Sequence, residues 1–399
     1  MNLFKARENC SGCTACMNIC PNSAITMKPD EKGFLYPEID SGRCTECGMC
    51  RRVCSFQNYS PTEQKPLPHA FAVKHQADDV RMKSSSGGMF TAVSDWILNQ
   101  GGVVYGAAFD DAFQVHHTRA ATKEERNAFR GSKYVQSSAG RVFRDVKADL
   151  KAGLPVLFTG TPCQTAGLKN FLAQSRINTE KLCLCDLVCH GAPSPGVFQS
   201  YLNELRQKYG SEINALTFRY KPAGWRSQQI AVWFRNGKEY QAPCAEDIYY
   251  MLFLQNIILR PSCSRCPFAN LHRPSDITIG DFWGLENSMP EFEDSKGVSI
   301  VLTNSNKGSI IFDAVRNILD VRDCNLQNCL QPNLQAPSIP SPRSDAFWTD
   351  YQKYGFEYVG RKYAFPGIKK KTKMRVKKAL RFLGLFEAAK KSFYLFQKG

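Results

Sequence analysis

From residue 70 onward, short apolar runs alternate with segments of helical periodicity. The apolar runs predict strands at residues 70–74, 103–109, 155–159, 182–188, 213–220, 229–234 and 277–279. The helical segments lie near residues 89–99, 139–152 and 163–172. Gly101, Gly102 and Gly153 stand where helices are expected to end. This alternation predicts an α/β layer with crossover connections between strands.

Two proline-rich stretches divide the chain. Residues 60–69 and 331–343 both have the composition of stiff linkers. We therefore predict a module at residues 1–58, a core at residues 68–335 and an extension at residues 345–399. The fold class that follows is α+β: a small module, a larger mixed α/β core and a basic helical tail.

The chain has 399 residues, enough for two or three domains with a sizeable core, and two features of its composition are unusual. It contains 17 cysteines, and its formal net charge is +16. Residues 369–399 hold 11 lysines and arginines and one acid, so this tail carries +10 and the rest of the chain +6. Most of the excess charge therefore lies in an appendage.

Eight of the cysteines form two runs with the same spacing, CxxCxxCxxxC. They are Cys10, Cys13, Cys16 and Cys20, followed by Cys44, Cys47, Cys50 and Cys54. In bacterial ferredoxins this spacing holds two [4Fe-4S] clusters, and the fourth cysteine of each run binds the other cluster. The rule predicts one cluster on Cys10, Cys13, Cys16 and Cys54, and a second on Cys44, Cys47, Cys50 and Cys20. A zinc site or a disulfide scaffold fits the spacing poorly, although Ser55 stands where the ferredoxin run has proline.

The basic tail has apolar residues at helical spacing between its lysines and arginines: Val376, Ala379, Leu380, Leu383 and Phe386. Such a helix favours peripheral contact with an anionic membrane surface or a partner, and a solvated helix packed on the core is an equal alternative. Nucleic acid is not expected as a partner, because no motif that reads it accompanies the charge.

Three loops precede predicted helices, and the first two are candidates for binding phosphate. The first is residues 84–88, Ser-Ser-Ser-Gly-Gly, and the second is residues 131–138, Gly-Ser-Lys-Tyr-Val-Gln-Ser-Ser. Unpaired backbone N–H groups and the helix dipole favour an anion at such places, and a simple capped helix is the alternative. The third is residues 159–164, where Thr161 is a candidate N-cap, Pro162 suits the first helical position and Gln164 can complete a capping box.

Four later cysteines are candidates for a third [4Fe-4S] cluster. Cys163 stands at the start of a predicted helix, where it is a ligand, a nucleophile or a small buried residue. Cys189 follows the strand at residues 182–188, and Cys263 and Cys266 form a CxxC pair. Spacing alone leaves this site open. Cys183 and Cys185 are interpreted as strand residues, and Cys244, Cys324 and Cys329 have no assignment.

The chain begins without an apolar signal segment and has no run of 18 apolar residues. Together with cysteines arranged for iron–sulfur clusters, this predicts a cytoplasmic protein, with the tail as a candidate for contact with the inner membrane face.

In combination, the cysteine runs, the three loops, the Val188-Cys189-His190-Gly191 segment and the Gly280-Asp281-Phe282-Trp283-Gly284 segment resemble one family. This is the coenzyme F420 hydrogenase/dehydrogenase beta-subunit family, and the likeness extends from about residue 10 to about residue 302. The resemblance implies iron–sulfur clusters and FAD, and electron transfer between a one-electron donor such as ferredoxin or another redox protein and a small-molecule substrate. It also favours the third cluster on Cys163, Cys189, Cys263 and Cys266.

The resemblance places FAD against the three loops. Its candidate contacts are Ser85, Ser86, Gly87, Gly88, Lys133, Tyr134, Gln136, Ser137, Thr159, Gly160, Thr161 and Gln164. A GxGxxG fingerprint is absent, so a Rossmann unit is not expected. His190 and Asp281 are candidate catalytic residues; the alternatives are a packed histidine and an aspartate that caps a turn. Trp283 is expected in the core.

The function predicted is therefore an iron–sulfur flavoprotein oxidoreductase. A flavin beside clusters converts single-electron deliveries into a two-electron reduction. Relatives with this layout suggest a sugar-linked substrate in surface-polysaccharide biosynthesis, which no residue identifies. The alternatives are an oxidoreductase of coenzyme F420 and an electron-transfer subunit without a substrate of its own.

Overall fold

The computed structural model describes residues 3–59 and 66–365. The predicted basic helix of the tail lies outside these residues, as does most of the first predicted linker.

The N-terminal module consists of two short helices and one hairpin. Helices α1 (Ala15–Ile19) and α2 (Met49–Arg52) lie within the two cysteine runs, and strands β1 (Ile25–Pro29) and β2 (Leu35–Ile39) pair antiparallel. The residue before each helix has a positive φ, 68° at Thr14 and 72° at Gly48. These left-handed turns curl the chain just before each helix, so that closely spaced cysteines face the same side.

The core that follows contains a sheet of eight strands. These are β3 (His69–His75), β4 (Val103–Phe109), β5 (Val115–Ala120), β6 (Val156–Gly160), β7 (Leu182–Leu187), β11 (Ile277–Asp281), β12 (Ser299–Thr303) and β13 (Leu319–Cys324). A separate antiparallel sheet contains β8 (Ile213–Tyr220), β9 (Gln229–Phe234) and β10 (Glu239–Pro243). The helices of the core are α3 (Asp78–Met82), α4 (Met89–Asn99), α5 (Lys123–Arg126), α6 (Val142–Lys151), α7 (Pro162–Gln174), α8 (Pro195–Tyr209), α9 (Ile248–Leu254), α10 (Leu285–Ser288), α11 (Asn306–Ala314) and α12 (Ser344–Tyr363).

The strand order in the large sheet is β13-β3-β12-β11-β7-β6-β4-β5. Strands β4, β6, β7 and β11 run parallel to their neighbours in the middle, and the outer pairs are antiparallel. The core is therefore mixed α/β, as predicted, and its sheet contains both parallel and antiparallel pairs. Because the four central strands are parallel, their carboxyl ends lie at one edge of the sheet, where α/β proteins usually bind ligands. The segments after β6, β7 and β11 begin at this edge.

The two faces of the sheet are covered by different helices. On one face, α4 and α11 pack against residues such as Val104, Leu157 and Val301. On the other face, α6 and α7 pack against Tyr105 and Phe158, and the same apolar cluster includes residues of the N-terminal module. The module is therefore docked on the core through a shared hydrophobic interior.

The strands and helices predicted from periodicity are confirmed, with ends displaced by at most three residues. The sequence interpretation missed β5, β10, β12 and β13 and several helices. The stretch at residues 331–343, interpreted as a linker, lies against the core: Leu334 is buried, and Gln331 Nε2 donates to the carbonyl of Asp281. Helix α12 buries Phe347 and Val359 in the cluster that also contains α8 and α9. Among the described residues, no helix has the length and apolar character needed to cross a bilayer.

Candidate redox site

The two cysteine runs interleave in space. One cavity is lined by four thiols that we call the first cysteine group: Cys10, Cys13, Cys16 and Cys54. A second cavity is lined by the second cysteine group: Cys20, Cys44, Cys47 and Cys50. Each cavity receives three thiols from one run and one from the other, which is the exchange typical of ferredoxins with two clusters.

The surroundings of these thiols suit iron–sulfur clusters. The backbone N–H of Ala24 donates to Cys20 Sγ at 3.3 Å, and Gln57 Nε2 donates to Cys54 Sγ at 3.5 Å. Burial raises the pKa of Cys13 to about 12, so a thiolate is stable there only with a bound cation. The iron of a cluster would supply that charge. In residues 3–59 and 66–365, no three His, Cys, Asp or Glu side chains converge as a single metal ion requires.

The two groups differ in exposure. Cys47 of the second group is exposed to solvent, whereas Cys13 of the first group is buried. A Cβ atom at Gly167 in α7 would lie 2.9 Å from Cys13 Sγ, so only glycine permits this approach. The first group therefore faces the core, and the second group faces solvent.

Cys163, Cys189, Cys263 and Cys266 are brought together at the carboxyl edge of the sheet, and we call them the third cysteine group. Burial raises the pKa of Cys189 well above its usual value, and the other three thiols of the group add to the effect. The N–H of Ala192 donates to Cys263 Sγ at 3.3 Å. Cys13 and Cys163 also interact electrostatically, so the third group adjoins the first.

The remaining cysteines lie elsewhere. Cys183 and Cys185 are buried in β7, as predicted. Cys324 and Cys329, which had no assignment, form a disulfide.

The three loops predicted separately from the sequence converge, and we call them the loop cluster (residues 84–88, 131–138 and 159–164). Ser85 Oγ accepts a hydrogen bond from the N–H of Ser132 at 2.7 Å, which joins the first loop to the second. Gln164 Nε2 donates to Ser137 Oγ at 3.0 Å, which joins the second to the third. The N–H of Thr161 donates to Gln164 Oε1 at 3.0 Å, as expected for the predicted capping box.

The first loop depends on its glycines. Gly88 precedes α4 with φ of 95°, and a Cβ atom at Gly87 would lie 2.1 Å from the carbonyl oxygen of Val73. The N–H of Gly87 and the hydroxyl of Ser86 both contact Ser299 Oγ, at 2.9 and 2.8 Å. The backbone of this loop is therefore fixed against β12.

The loop cluster contains a lysine without an acidic partner. Lys133 Nζ donates to the carbonyls of Ala128 and Arg130, at 2.7 and 3.0 Å, and pairs with no carboxylate among the described residues. Burial lowers the pKa of Lys133 to about 7. Lys133 is half-buried, and a cation partly withdrawn from water without a counter-charge is costly, so an anionic ligand would stabilise it.

His117 of β5 is a second polar group at the loop cluster. Its Nε2 lies 2.9 Å from the carbonyl oxygen of Thr159, and its buried Nδ1 has no hydrogen-bond partner. Burial lowers the pKa of His117 to about 4, so the ring is neutral at neutral pH. In the neutral ring Nε2 donates to the carbonyl, which leaves Nδ1 as an unused acceptor.

Asp281 is connected to the loop cluster through Arg219. Arg219 Nη1 donates to Asp281 Oδ2 at 2.6 Å and to the hydroxyl of Tyr134 at 3.2 Å, and Nη2 donates to the carbonyl of Ser85 at 3.2 Å. The Tyr134 ring lies in an aromatic group and stacks on Phe253 at 5.1 Å. Arg219 thus ties the first two loops to the end of β11.

His190 has other partners than Asp281 has. His190 Nε2 is 2.7 Å from Asn256 Oδ1, and its ring packs edge-on against Phe253 at 4.9 Å. Burial lowers the pKa of His190. Trp283, expected in the core, is 36% exposed and stacks on the buried Trp225 with ring centroids 4.6 Å apart.

Gln136 lies at the junction of the module and the core. Its Nε2 donates to the carbonyl of Ser11 at 3.0 Å, and its Oε1 accepts from Arg260 Nη1 at 3.0 Å. Arg219, His117 and Arg260 were all missed by the sequence interpretation. None stands in a recognisable motif, and each gains its contacts only from tertiary folding.

The fold and the cysteine groups define an iron–sulfur electron-transfer protein of the oxidoreductase type. Residues 154–325 match the family described as the C terminus of the coenzyme F420 hydrogenase/dehydrogenase beta subunit, and residues 9–58 match the 4Fe-4S dicluster domain. The chain belongs to the coenzyme F420 hydrogenase/dehydrogenase beta-subunit family, and its N-terminal module holds two [4Fe-4S] clusters.

Two curated ferredoxin-type proteins each match a short part of the chain. The chain is 43% identical over 47 residues to the methylamine utilization ferredoxin-type protein MauM of Methylobacillus flagellatus, covering 10% of this chain and 20% of that protein. It is 33% identical over 86 residues to ferredoxin YfhL of Escherichia coli, covering 18% of this chain and 93% of that protein. The chain therefore spans a fifth of MauM and nearly all of YfhL. A chain of the F420-reducing [NiFe] hydrogenase complex from Methanosarcina barkeri aligns over 76% of this chain and 92% of its own length, at 17% identity and a TM-score of 0.46.

Proposed function

We propose that this protein is an iron–sulfur flavoprotein oxidoreductase that binds FAD and transfers electrons between a ferredoxin-type protein and a small organic substrate or carrier. The proposal rests on one observation: three groups of four thiols follow one another from the exposed Cys47 to the core. A [4Fe-4S] cluster accepts and donates one electron at a time, so such a succession suits electron transfer.

The third cysteine group is proposed to hold a third [4Fe-4S] cluster. Its four thiols interact electrostatically, and a backbone N–H is directed at Cys263 Sγ. Hydrogen bonds from backbone N–H groups to sulfur are a common way in which proteins stabilise cluster thiolates. The third group lies at the carboxyl edge of the sheet and adjoins the first cysteine group, so its cluster would carry electrons from the module into the core.

The loop cluster is proposed to bind FAD. Lys133 would contact a phosphate oxygen, because the buried ammonium lacks a carboxylate partner in the described part of the chain. His117 Nδ1 would accept a hydrogen bond from a ligand N–H or O–H group. When bound, the flavin would supply exchange between one-electron and two-electron transfer. Asp281, held by Arg219 beside the first two loops, would orient the ligand, and His190 remains a candidate proton donor.

The donor is proposed to approach at the second cysteine group. Residues 41–59 contain three exposed arginines, Arg43, Arg51 and Arg52, and one acid, Glu46. None of the three arginines forms an ion pair within residues 3–59 and 66–365. An exposed cluster beside unpaired positive charge suits an acidic electron-transfer protein, because opposite charges steer encounter.

Anaerobic reconstitution of the full chain tests the cofactor content. A flavin band near 450 nm, about the usual position for a bound flavin, and about 12 iron atoms per chain are expected. About 8 iron atoms without flavin would contradict the proposal and favour an electron-transfer subunit. A Lys133→Met variant should keep its iron and lose flavin affinity.

Charge reversal tests the donor. Arg51→Glu/Arg52→Glu should raise the KM for reduced ferredoxin at low salt and leave reduction by dithionite unchanged. Arg235→Glu/Lys238→Glu, on the exposed turn after β9, is the matched control and should change neither. Equal effects of both double variants would contradict docking at the second cysteine group.

A second candidate is oxidoreduction of coenzyme F420, favoured by membership of a family named for that coenzyme. Rates of flavin reduction with reduced ferredoxin and with reduced coenzyme F420 distinguish the two. Sugar-linked compounds of surface-polysaccharide biosynthesis are among the substrates to be tested as final acceptors.

A further inference from the structure

Arg260 is the most deeply buried charged side chain at the junction of the module and the core. It is 1% exposed, and every arm of its guanidinium is engaged. Nε donates to the carbonyl of Cys10 at 2.8 Å, Nη1 donates to Gln136 Oε1 at 3.0 Å, and Nη2 donates to the carbonyl of Leu35 at 3.0 Å. Nη2 also lies 3.8 Å from Cys10 Sγ, within hydrogen-bond distance of a sulfur acceptor.

A glycine and an aromatic ring form the space that this guanidinium occupies. A Cβ atom at Gly12 would lie 3.0 Å from Arg260 Nη1, and Gly12 has φ of 71°. The ring of Tyr36 lies beneath the guanidinium, with its centroid 4.1 Å from Cζ. Glycine on one side and an aromatic face on the other thus hold the positive charge beside the first cysteine group.

No carboxylate pairs with Arg260 among the described residues. An unpaired buried cation is costly, because water no longer solvates it. The groups of opposite sign within its reach are thiols: Cys10, Cys163 and Cys263 all interact with it electrostatically. Since burial raises the pKa of these thiols, they become lasting negative charges only when a metal binds them.

We propose that Arg260 is the counter-charge of the cluster in the first cysteine group and raises its reduction potential above that of the cluster in the second group. Reduction adds one negative charge to a cluster, so a fixed cation stabilises the reduced form, as does an N–H···S hydrogen bond. Burial opposes this effect, because it disfavours the added charge. Arg260 offsets this effect of burial on the reduction potential, so electron transfer from the exposed cluster to the inner one is favourable.

The second cysteine group also has cations nearby, but they are exposed or do not contact a sulfur. Arg52 is exposed, and Arg144 donates to the carbonyl of Cys20 at 3.0 Å and not to a sulfur. Water and salt screen exposed charges much more than buried ones. The two clusters therefore differ in the charge that each feels, with Arg260 the decisive residue. This inference rests on the clusters of the module and on the proposed direction of electron transfer.

A redox titration of the reconstituted full chain, followed by electron paramagnetic resonance, tests the proposal. Arg260→Met should lower the reduction potential of one cluster by about 59 mV for a one-electron couple. At the potential where this cluster is half reduced in the unaltered protein, its reduced-to-oxidised ratio should therefore fall about tenfold. Arg260→Lys, which retains the charge, should recover most of this loss. Cys47→Ser identifies the signal of the second group, which neither change at Arg260 should move. Equal shifts of both clusters, or no shift at full iron content, would overturn the proposal.

If Arg260→Met fails to retain its clusters, the unaltered protein still provides a test. Raising the salt concentration should shift the potential of the second cluster and leave that of the first unchanged, because only the first is set by a buried charge. Equal salt dependence of the two would overturn the proposal. None of these measurements requires flavin or turnover, so a chain without flavin but with separated potentials would refute the proposed function and support this inference.

Discussion

Replacing Asp186 with alanine is expected to destabilise the core and to loosen the third cysteine group. Asp186 lies near the end of β7, three residues before Cys189, and its side chain has no exposure. Arg273 Nη2 donates to Asp186 Oδ1 at 3.0 Å, and Thr278 Oγ1 donates to the same oxygen at 2.6 Å. Arg273 also donates to the carbonyl of Phe268, just after Cys266, at 2.7 Å. The pair thus connects the segments that contribute three of the four thiols.

The cost follows from leaving a buried guanidinium alone. Removing one partner of a buried ion pair typically costs about 3–5 kcal/mol. A core of about 300 residues unfolds with an entropy of about 0.6 kcal/mol/K, so this loss lowers Tm by about 5–8 °C. Arg273 keeps its carbonyl partners in the Asp186→Ala variant, which places the expected value toward the lower end of this range.

Chemical denaturation and iron content measure the two consequences separately. Asp186→Ala and Arg273→Met should each be destabilising, whereas Asp186→Leu/Arg273→Met should recover much of the loss, because no buried charge is left unpaired. Iron should fall from about 12 to about 8 atoms per chain in the single variants if the third group loses its cluster. A double variant no more stable than the less stable single variant, or a loss below about 1 kcal/mol in each single variant, would refute the reasoning.

Three further outcomes are expected. Gly87→Ala should cost about 1–3 kcal/mol by overpacking, because its Cβ atom would meet the carbonyl of Val73, and flavin retention should fall in a gel-filtration assay. Gly167→Ala should displace Cys13 and slow reduction of the core by ferredoxin in stopped-flow absorbance, while reduction of the exposed cluster is unchanged. The pKa of Lys133 is lowered to about 7 in the folded state, so between pH 7 and its unfolded value near 10.5 the unfolded chain binds more protons. The free energy of unfolding of the flavin-free protein should therefore contain a contribution that rises over this range and is absent in Lys133→Met, as urea titrations at pH 7 and 9 would measure. A pH profile unaltered by Lys133→Met, unimpaired flavin retention by Gly87→Ala, or unchanged kinetics with Gly167→Ala would contradict the respective expectation.

Local patterns were sufficient to predict much of the fold. The strand at residues 103–109 has the predicted bounds, because a continuous apolar run of this length is favourable only when buried in a sheet. The strand at residues 213–220 also has the predicted bounds, although polar residues interrupt its apolar ones. The capping residues before α7 were also predictable, since a Thr-Pro sequence followed by glutamine satisfies the free N–H groups of a helix start within one turn.

The missed strands have weaker local patterns. β5 has the sequence Val-His-His-Thr-Arg-Ala, with four polar residues in its middle, and it lies at the edge of the sheet, where polar side chains are tolerated. β12 is only five residues long, but all five are buried because it lies between β3 and β11. That position depends on partners more than 200 residues apart in the chain, which no short window contains.

The candidate site likewise contains features with a local sequence pattern and features without one. The spacing of the cysteines predicted which thiols of the module meet, because the ferredoxin run encodes its pairing locally. The residues that set the electrostatics, such as Arg260, His117 and Arg219, have no local signature. Among the described residues, Arg260 lacks a carboxylate partner and His117 Nδ1 lacks a donor, whereas Arg219 pairs with Asp281 from a distant strand. Each of these relations depends on residues that only the folded chain brings together.

The difference in exposure between the cysteine groups implies an order in which the clusters assemble, as well as a direction of electron transfer. Both cavities are lined by module residues, but the core contacts the two groups differently. At the first group, core residues reach the sulfurs: Arg260 lies 3.8 Å from Cys10 Sγ, and Gly167 adjoins Cys13 Sγ. At the second group, Arg144 of the core donates to the backbone carbonyl of Cys20. Changes that weaken docking should thus affect the inner cluster before the outer one.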